Sequence, residues 1–168
     1  LGKGWAHNFD TRILASDQFA PLGDITQIGV MMWNGGVETW DLSNGVYRTR
    51  HGEYRGELEA IMNGPQMLGM KWTTPDRLIY RFSSPGSGSA TMRGRLLEIS
   101  DFYSNSVHVL WDQSDGVVTQ VIDSVGGVYE FSYDLQHQLT DVTFGEWSAA
   151  FTYDDSNHLE RVTWDGPD

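Results

Sequence analysis

The chain has 168 residues, a formal net charge of −12 and no cysteine. Its length indicates one domain, the absence of cysteine excludes disulfides, thiol catalysis and thiolate metal sites, and its negative charge argues against nucleic acid as a partner, since both are anionic. No apolar run approaches the length of a membrane span, and no signal peptide is visible.

The first part of the chain, residues 1–93, is predicted to consist of strands joined by tight turns. Asn34–Gly36 and Asn44–Gly45 each separate two strand-like runs, and Asn and Gly tolerate the positive φ that hairpin turns require. Residues 54–64 could pass for a short helix, but their apolar residues alternate, so a strand is predicted there. Ser83–Gly94 is rich in Gly and Ser and is expected to be a loop.

The second part, residues 94–168, shows apolar residues with a period of two, which indicates strands with one buried face. The alternating residues are Val107, Val109 and Trp111, then Tyr129, Phe131 and Tyr133, and then Ala149, Phe151 and Tyr153, while Leu78, Tyr80 and Phe82 show the same period just before this part. Phe131 and Phe151 are expected in the core. The intervening residues, which are predicted to face the opposite way, are polar: His108, Glu130, Ser132 and Thr152.

A short pattern recurs in this second part. "YEFSYDLQHQLTDV", residues 129–142, is echoed by "AAFTYDDSNHLERV", residues 149–162. The pattern combines an aromatic-Asp pair with two aliphatic residues three apart, and it recurs at steps of 20 to 22 residues. The repeated positions are Trp111 and Asp112, Tyr133 and Asp134, and Tyr153 and Asp154 for the first pair, and Leu96 and Ile99, Val118 and Val121, Leu139 and Val142, and Leu159 and Val162 for the second. A period this short indicates stacked supersecondary units.

Each unit is predicted to be a β-hairpin. The first strand ends in an aromatic ring that packs against neighbouring strands, and the following Asp accepts hydrogen bonds from its own backbone and starts a turn. A residue that tolerates the left-handed conformation completes the turn. Hairpin turns are therefore predicted at Asp112–Gly116, Asp134–His137 and Asp154–Asn157. Because a lone hairpin is only marginally stable, the units are expected to pair into one antiparallel sheet.

This pattern resembles the RHS or YD repeat, which reads roughly Tyr-Asp-x-x-Gly-Arg-Leu-x-x-Val. "GRLLEI", residues 94–99, matches its second half, and "SYDLQHQLTDV" and "TYDDSNHLERV" match throughout except at Gly-Arg. "LGKGWAHNFDTRI", residues 1–13, is similar to the segment that opens many RHS core regions, and "RLIYRF", residues 77–82, is similar to the strand that often precedes the repeats. The sequence departs from the family where His137 replaces Gly and where Gln138 and His158 replace Arg.

The resemblance implies an all-β fold of antiparallel hairpin repeats that form part of a curved, spiralling sheet. In this interpretation residues 1–93 are the N-terminal β region of the core and residues 94–168 are three to four degenerate repeats, which together make one continuous unit. The chain is expected to be a segment of a longer protein that is secreted or displayed at a cell surface, with bacterial export favoured. Its implied role is a non-catalytic wall of a shell that encloses a toxin or other cargo on the same chain. Its implied partners are the rest of that shell and the cargo.

No enzyme, metal or cofactor site is predicted. None of the five histidines, His7, His51, His108, His137 and His158, pairs with another at the spacing of metal ligands. Glu57 and Glu59 would serve as a glycosidase pair only within a cleft, so a charged outer face is the preferred interpretation. "DDSNHLE", residues 154–160, lacks the central glycine and the full ligand spacing of a calcium loop, which favours a solvated turn.

The aromatic residues leave an alternative open. Seven Trp and seven Tyr could form a sugar-binding platform, although most of them occupy positions predicted to face the core. Trp5, Trp147 and Trp164 lie outside the clean alternation and are the candidates for contact with a glycan. The alternative function is therefore a carbohydrate- or protein-binding β module at a cell surface.

Overall fold

The computed structural model describes residues 8–15, 26–32, 34–44, 46–49, 56–86 and 88–167. These residues form one sheet of fourteen antiparallel strands, in which each strand pairs with the strands that precede and follow it in the sequence. A single 3-10 turn, Asn8–Asp10, comes before the first strand. The strands are β1 (Arg12–Ala15), β2 (Gln27–Met31), β3 (Val37–Ser43), β4 (Val46–Thr49), β5 (Glu57–Asn63), β6 (Gln66–Thr73), β7 (Ile79–Ser83), β8 (Leu96–Ser100), β9 (Ser106–Trp111), β10 (Val118–Asp123), β11 (Val128–Tyr133), β12 (Leu139–Phe144), β13 (Trp147–Tyr153) and β14 (Leu159–Asp165).

The predicted all-β architecture of antiparallel hairpins is confirmed. The segment with ambiguous periodicity is strand β5, and no α-helix occurs among the described residues. Turns lie at each predicted place: Asn34–Gly36 joins β2 to β3, Asn44 lies between β3 and β4 (Gly45 is outside the described residues), and the three aspartate turns join β9 to β10, β11 to β12 and β13 to β14. The predicted loop lies between β7 and β8.

Aspartate side chains organise the turns of the second part. The turn residues that share this role are Asp101, Asp112, Asp123, Asp134 and Asp154, and in each case Oδ1 accepts the backbone N–H of the residue two positions later at 2.7–2.9 Å. Hydrogen bonds lower the pKa of three of them: the leading donor is the Asn105 side chain for Asp101, the Ser114 side chain for Asp112 and the His158 amide for Asp154. The turns therefore favour the ionised carboxylate.

A left-handed residue closes each of these turns. Three positions after the aspartate, φ is 68° at Ser104, 87° at Gly126, 58° at His137 and 65° at Asn157. The turn after Asp112 is one residue longer, and its left-handed residue is Gly116, with a φ of 69°. This is the geometry of a type I turn followed by a left-handed residue, which suits the twist of a hairpin.

A β-bulge explains the aliphatic pairs spaced three residues apart. In a regular strand such residues point to opposite faces. In β12, however, Tyr133 pairs with Leu139 and Ser132 pairs with Asp141, so that Thr140 is the extra residue. The extra residue turns Leu139 and Val142 to the same face. Equivalent bulges leave Leu97, Thr119 and Glu160 as extra residues in β8, β10 and β14.

The same bulge occurs once more, in the part of the chain where the sequence shows no clear repeat. In β6 the pairing skips Leu68, which lies between Met67 and Met70. Both methionines are buried, whereas Leu68 is exposed. The hairpin β5–β6 is thus built like the four that follow it, although methionines have replaced the branched aliphatic residues.

Neighbouring hairpins meet in a repeating register. Ile99 pairs with Val107, Val121 with Tyr129, and Val142 with Ala149. Each of these partners lies four residues before the aromatic residue that ends its own strand. Units that are equivalent in sequence are therefore equivalent in space, from β8 to β14.

The first strand shows that the sheet curls. Arg12 of β1 forms an antiparallel bridge with Arg95, next to β8, and the Ile13 amide donates to the Gly94 carbonyl at 2.8 Å. In a flat sheet β1 and β8 would lie roughly 34 Å apart, because adjacent strands are separated by about 4.8 Å. The apolar face lies inside the curl, where Ile28, Leu58 and Met70 have no exposed surface. We call the contact of β1 with residues 94–95 the seam.

Burial of the apolar face decreases after the seam. Val109, Val118 and Val121 are still buried, but Tyr129 and Phe144 are 36% and 37% exposed. Phe131 and Phe151, expected in the core, are only partly buried. The alternation identified their face correctly, but that face is less completely covered beyond the curl.

We predict that the substitution His137→Gly increases the free energy of unfolding by about 0.5–1 kcal/mol, because it removes the steric cost of a left-handed side chain. Urea denaturation followed by circular dichroism measures the change. Gln136→Gly is the matched control: it lies in the same turn without a positive φ, so glycine should destabilise there. A loss of stability in His137→Gly would show that its side chain contributes more than its backbone costs.

Candidate functional site

The Glu57–Glu59 pair and the Asp154–His158 turn take structural roles, while His7 and His51 lie outside the described residues. Glu59 and Lys71 form an ion pair of 2.6 Å on the outer face of the sheet, where Glu57 is also exposed. Asp154 and His158 belong to one turn, with Nδ1 of the histidine 3.3 Å from Oδ2 of the aspartate. Among the described residues, no three His, Asp or Glu side chains come together as a metal site would require. Within the same residues, no helix has the length and apolar character needed to cross a membrane.

The repeated aliphatic positions form the packing layer of the sheet. Leu96, Val118, Val121 and Leu139 are buried, Ile99, Val142 and Leu159 are partly buried, and Val162 is 37% exposed. The repeated aspartates Asp112, Asp134 and Asp154 lie in the turns described above. These positions hold the hairpins together and present no reactive group.

Two of the three repeated aromatic residues connect their hairpin to the one before it. Trp111 Nε1 donates to the Leu96 carbonyl at 2.7 Å, and the Tyr153 hydroxyl donates to the Leu139 carbonyl at 2.8 Å. Both acceptors occupy the same repeat position, the first aliphatic residue of the preceding hairpin. We call these hydrogen bonds latches. They add a side-chain link to the backbone pairing of adjacent units.

Tyr133 occupies the middle latch position without completing a latch. Its hydroxyl is buried and has no hydrogen-bond partner among the described residues. Burial, with smaller contributions from Asp10 and Tyr153, raises the pKa of Tyr133 to about 12. The Val118 backbone, at the equivalent repeat position, acts in the opposite direction and lowers this pKa. The phenol therefore stays neutral under ordinary conditions.

Gly94 and Arg95 give the seam its geometry. Gly94 has a φ of +64°, and a Cβ atom there would lie 2.0 Å from the Ile13 carbonyl oxygen, so a side chain would push β1 away. The Arg95 guanidinium lies 4.6 Å from the centre of the Trp111 ring, a cation–π distance. Its Nε donates to the Thr91 carbonyl at 2.9 Å. Gly94 and Arg95, the one Gly-Arg pair among the repeats, thus hold the curled sheet together at the seam.

A small cavity at the seam is rich in positive charge. Its volume is about 100 Å³, and its described lining consists of Arg12, Ile13, Leu14 and Ala15 from the β1 side and Pro85, Ala90, Thr91, Arg93 and Arg95 from the other. Arg12 Nε is buried and has no hydrogen-bond partner among the described residues. Burial and then the Arg12 charge lower the pKa of Arg95, while Asp10 acts in the opposite direction. We call this space the seam cavity.

Sequence reasoning missed the seam cavity. Arg12 and Arg95 are 83 positions apart in the chain, so neither spacing nor alternation connects them. The only available signal was the Gly-Arg dipeptide at residues 94–95, which matched the repeat. Its contact with β1 depends on the curl of the whole sheet.

The candidate glycan contacts lie at the far end of the sheet. Trp5 is outside the described residues. Trp147 and Trp164 are 53% and 74% exposed, and register places them opposite Phe144 and Ala149. They are therefore on the alternating apolar face, which corrects the expectation that they lie outside it. They stand out because this end of the face is uncovered.

A scan against protein-family models found no match, and neither did a search of curated proteins. Function therefore has to be argued from the groups described above. The latches and turns are hydrogen bonds that fix the backbone. The seam cavity is lined by guanidinium groups, and the exposed Trp residues present ring faces to solvent.

We predict that Gly94→Ala lowers the free energy of unfolding by about 3 kcal/mol or more, since it combines a left-handed alanine with displacement of the Ile13 carbonyl. Gly64→Ala is the control, because Gly64 has a similar φ of +58° but no atom within 4 Å of the new Cβ. Its cost should be limited to about 1–2 kcal/mol. Equal losses in the two variants, measured by urea denaturation, would show that the seam is not tightly packed.

We predict that Tyr153→Phe lowers the free energy of unfolding by about 1 kcal/mol, because the Leu139 carbonyl loses its latch. Tyr133→Phe should have no cost or should stabilise the protein, since it removes a buried hydroxyl that has no partner. The two variants delete the same atom from equivalent positions, so their difference in urea denaturation isolates the latch. A larger loss in Tyr133→Phe would contradict this assignment.

Proposed function

We propose that this chain is a non-catalytic wall segment of an RHS/YD-type shell that encloses a toxin or other polypeptide cargo, in an exported or surface-displayed protein. The observation that carries this proposal is the uninterrupted meander of fourteen strands in the described residues. The proposed wall function also rests on the resemblance of the repeat at residues 94–162 to the YD pattern.

An enclosure needs a wall without gaps. From β8 to β14, each hairpin meets the next in the same register, and the latches of Trp111 and Tyr153 reinforce two of these joints. Such a wall extends by adding hairpins, as repeat proteins do. Its stability comes from contacts between neighbours, so length need not reduce it.

A wall also needs a face that does not bind its cargo tightly. In β9 to β13, which lie beyond the curl, the face opposite the apolar one is polar, and we propose that this face contacts the polypeptide. His108, Glu130, Ser132 and Thr152 are all exposed on that face. With a net charge of −12, the wall would attract a basic cargo through screened, long-range forces rather than through packing.

Limited proteolysis of the natural full-length protein tests this function. We expect the segment that follows the repeats to be digested much more slowly in the intact protein than when it is expressed alone. Gly94→Ala, which loosens the seam, should reduce this protection, whereas Gly64→Ala should leave it largely intact. Digestion at the same rate in the intact protein and in isolation would refute enclosure, as would a natural chain without any further segment.

The exposed aromatic residues support one second candidate, a glycan-binding face. Tyr129 and Phe144 stack at 4.3 Å between ring centres, and Trp147 follows Phe144 in register. Together with Trp164 they form a platform of ring faces that could stack on sugar rings. The amphipathic character of Trp and Tyr suits such contacts.

We predict that, if this platform binds glycans, Trp164→Ala abolishes binding of soluble oligosaccharides in an array or in calorimetry. Leu110→Ala is the control, because Leu110 is also an exposed apolar residue but lies on the opposite face of the sheet. The lack of binding to every sugar tested by the unmodified protein would leave only the wall function.

A further inference from the structure

We infer that two copies of this chain associate edge to edge through β14, in an antiparallel register that is centred on Thr163. The partner is thus a second copy, and the two sheets continue into one another. This inference concerns the open edge of the described sheet and does not rest on the enclosure of a cargo.

β14 is the edge of the sheet that is open to a new strand. Its inner side pairs with β13, and its outer side pairs with no described strand. Every residue from Glu160 to Asp165 is exposed. An exposed edge strand pairs readily with another chain through its unused N–H and C=O groups.

The two ends of the sheet are not equivalent, and this limits the association to a dimer. At the other end, β1 already contacts residues 94–95 at the seam, so it does not offer a comparable edge to a β14 strand. Two β14 strands that pair with each other use the same surface on both copies. Such an isologous pairing closes on itself and leaves no edge for further growth.

The sequence of β14 is complementary to itself in one register. When two antiparallel copies are centred on Thr163, Arg161 lies opposite Asp165 of the second copy, and Val162 lies opposite Trp164 of the second copy. The two-fold symmetry makes each of these pairs occur twice. Opposite charges stabilise antiparallel strands when they lie directly opposite one another, and so do pairs of an aromatic and a β-branched residue.

Neighbouring registers lose this match. A shift of one residue would bring the polar face of one strand onto the side of the apolar face of the other. A centre on Val162 pairs Arg161 with Thr163, and a centre on Trp164 pairs Thr163 with Asp165. Neither of these registers brings opposite charges together. Of the three, only the register centred on Thr163 matches both charge and apolar character.

The residues that lie opposite these charges within their own hairpin are neutral. Arg161 pairs with Thr152, and Asp165 pairs with Ser148. Arg161 and Asp165 are on the same face as Thr163, because residues two apart in a strand point the same way. A second β14 strand therefore supplies the cross-strand ion pairs that β13 does not supply.

The apolar face gains cover in the same arrangement. Val162 and Trp164 are 37% and 74% exposed, although each lies next to an apolar residue of β13, Phe151 or Ala149. In the proposed register the two Trp164 residues are diagonal neighbours, roughly 7–8 Å apart, which is within reach of aromatic side chains. Tryptophan at the centre of an interface commonly contributes much of the binding energy. One short strand from each copy makes a small interface, so we expect the dimer to be reversible.

Analytical ultracentrifugation of the unmodified protein tests the association. We expect an equilibrium between monomer and dimer, with a limiting mass of twice 18.9 kDa. Physiological ionic strength is used, because salt then screens the repulsion between two chains of net charge −12 beyond about 8 Å. A monomer at every concentration would overturn the inference, including a monomer in which another segment of the natural protein covers β14. Growth beyond the dimer would overturn it as well.

Two charge reversals test the register. Arg161→Asp leaves like negative charges opposite each other, and Asp165→Arg leaves like positive charges, so each variant by itself should dimerise about tenfold or more weakly. A mixture of the two variants restores opposite charges at both pairs and should form the heterodimer. Asp155→Arg is the control: it changes the net charge as Asp165→Arg does, but Asp155 is exposed in the turn before β14. This control should dimerise like the unmodified protein.

The mixture also separates a lost contact from a lost fold. Circular dichroism checks that each variant keeps its sheet, and recovery of dimer in the mixture is possible only if both variants are folded. Dimerisation of either single variant with unaltered affinity would show that the register is wrong. Failure of two folded variants to form the heterodimer would show the same.

Discussion

The β-bulge in the second strand of the five hairpins from β5–β6 to β13–β14 is the feature on which the rest of the sheet depends. The extra residue brings two aliphatic side chains, such as Leu139 and Val142, to one face of the sheet. There each lies opposite the strand of the same hairpin that carries the aromatic residues. A regular strand would direct one of the two into solvent and would leave the apolar face incomplete. Bulges also bend a strand and increase its local twist. Their repetition on alternate strands is thus consistent with a sheet that curls instead of lying flat.

A flat single-layer sheet exposes both of its faces to water, and curling shields one of these faces from solvent. In the first part of the chain, the curl brings β1 back to Gly94 and buries much of the apolar face, so that Trp40, Phe82 and Leu96 have at most 1% exposed surface. In the last four strands the same face is less completely covered, so that Leu139 and Ala149 are buried but Trp164 is 74% exposed. The outer edge of β14 pairs with no described strand. Unpaired backbone next to an exposed apolar face favours association, so this end is the one most suited to accept a further hairpin.

The local features of this fold can be predicted from the sequence, whereas those that depend on contacts between residues far apart in the chain cannot. Alternation predicts the strands and their apolar faces, and the aspartate and left-handed residues predict the turns, because all of these depend on neighbours within a few positions. The bulges are visible only as an unexplained spacing of three, since their meaning depends on which residue lies opposite. The latches and the seam depend on contacts between residues 14 to 83 positions apart. Tyr133 shows where prediction from the sequence fails, because tyrosine at the same position of the repeat forms a latch at residue 153 but not at residue 133.

The seam therefore differs in kind from every other joint in the sheet. The joints between hairpins are made of backbone pairs, apolar contacts and latches, all of which are present as soon as the chain is folded. The seam has close backbone contact at Gly94, a stacked guanidinium at Arg95 and three positive charges around one small cavity. Since the curl is what buries much of the apolar face in the first part of the chain, the packing of the core depends on this contact.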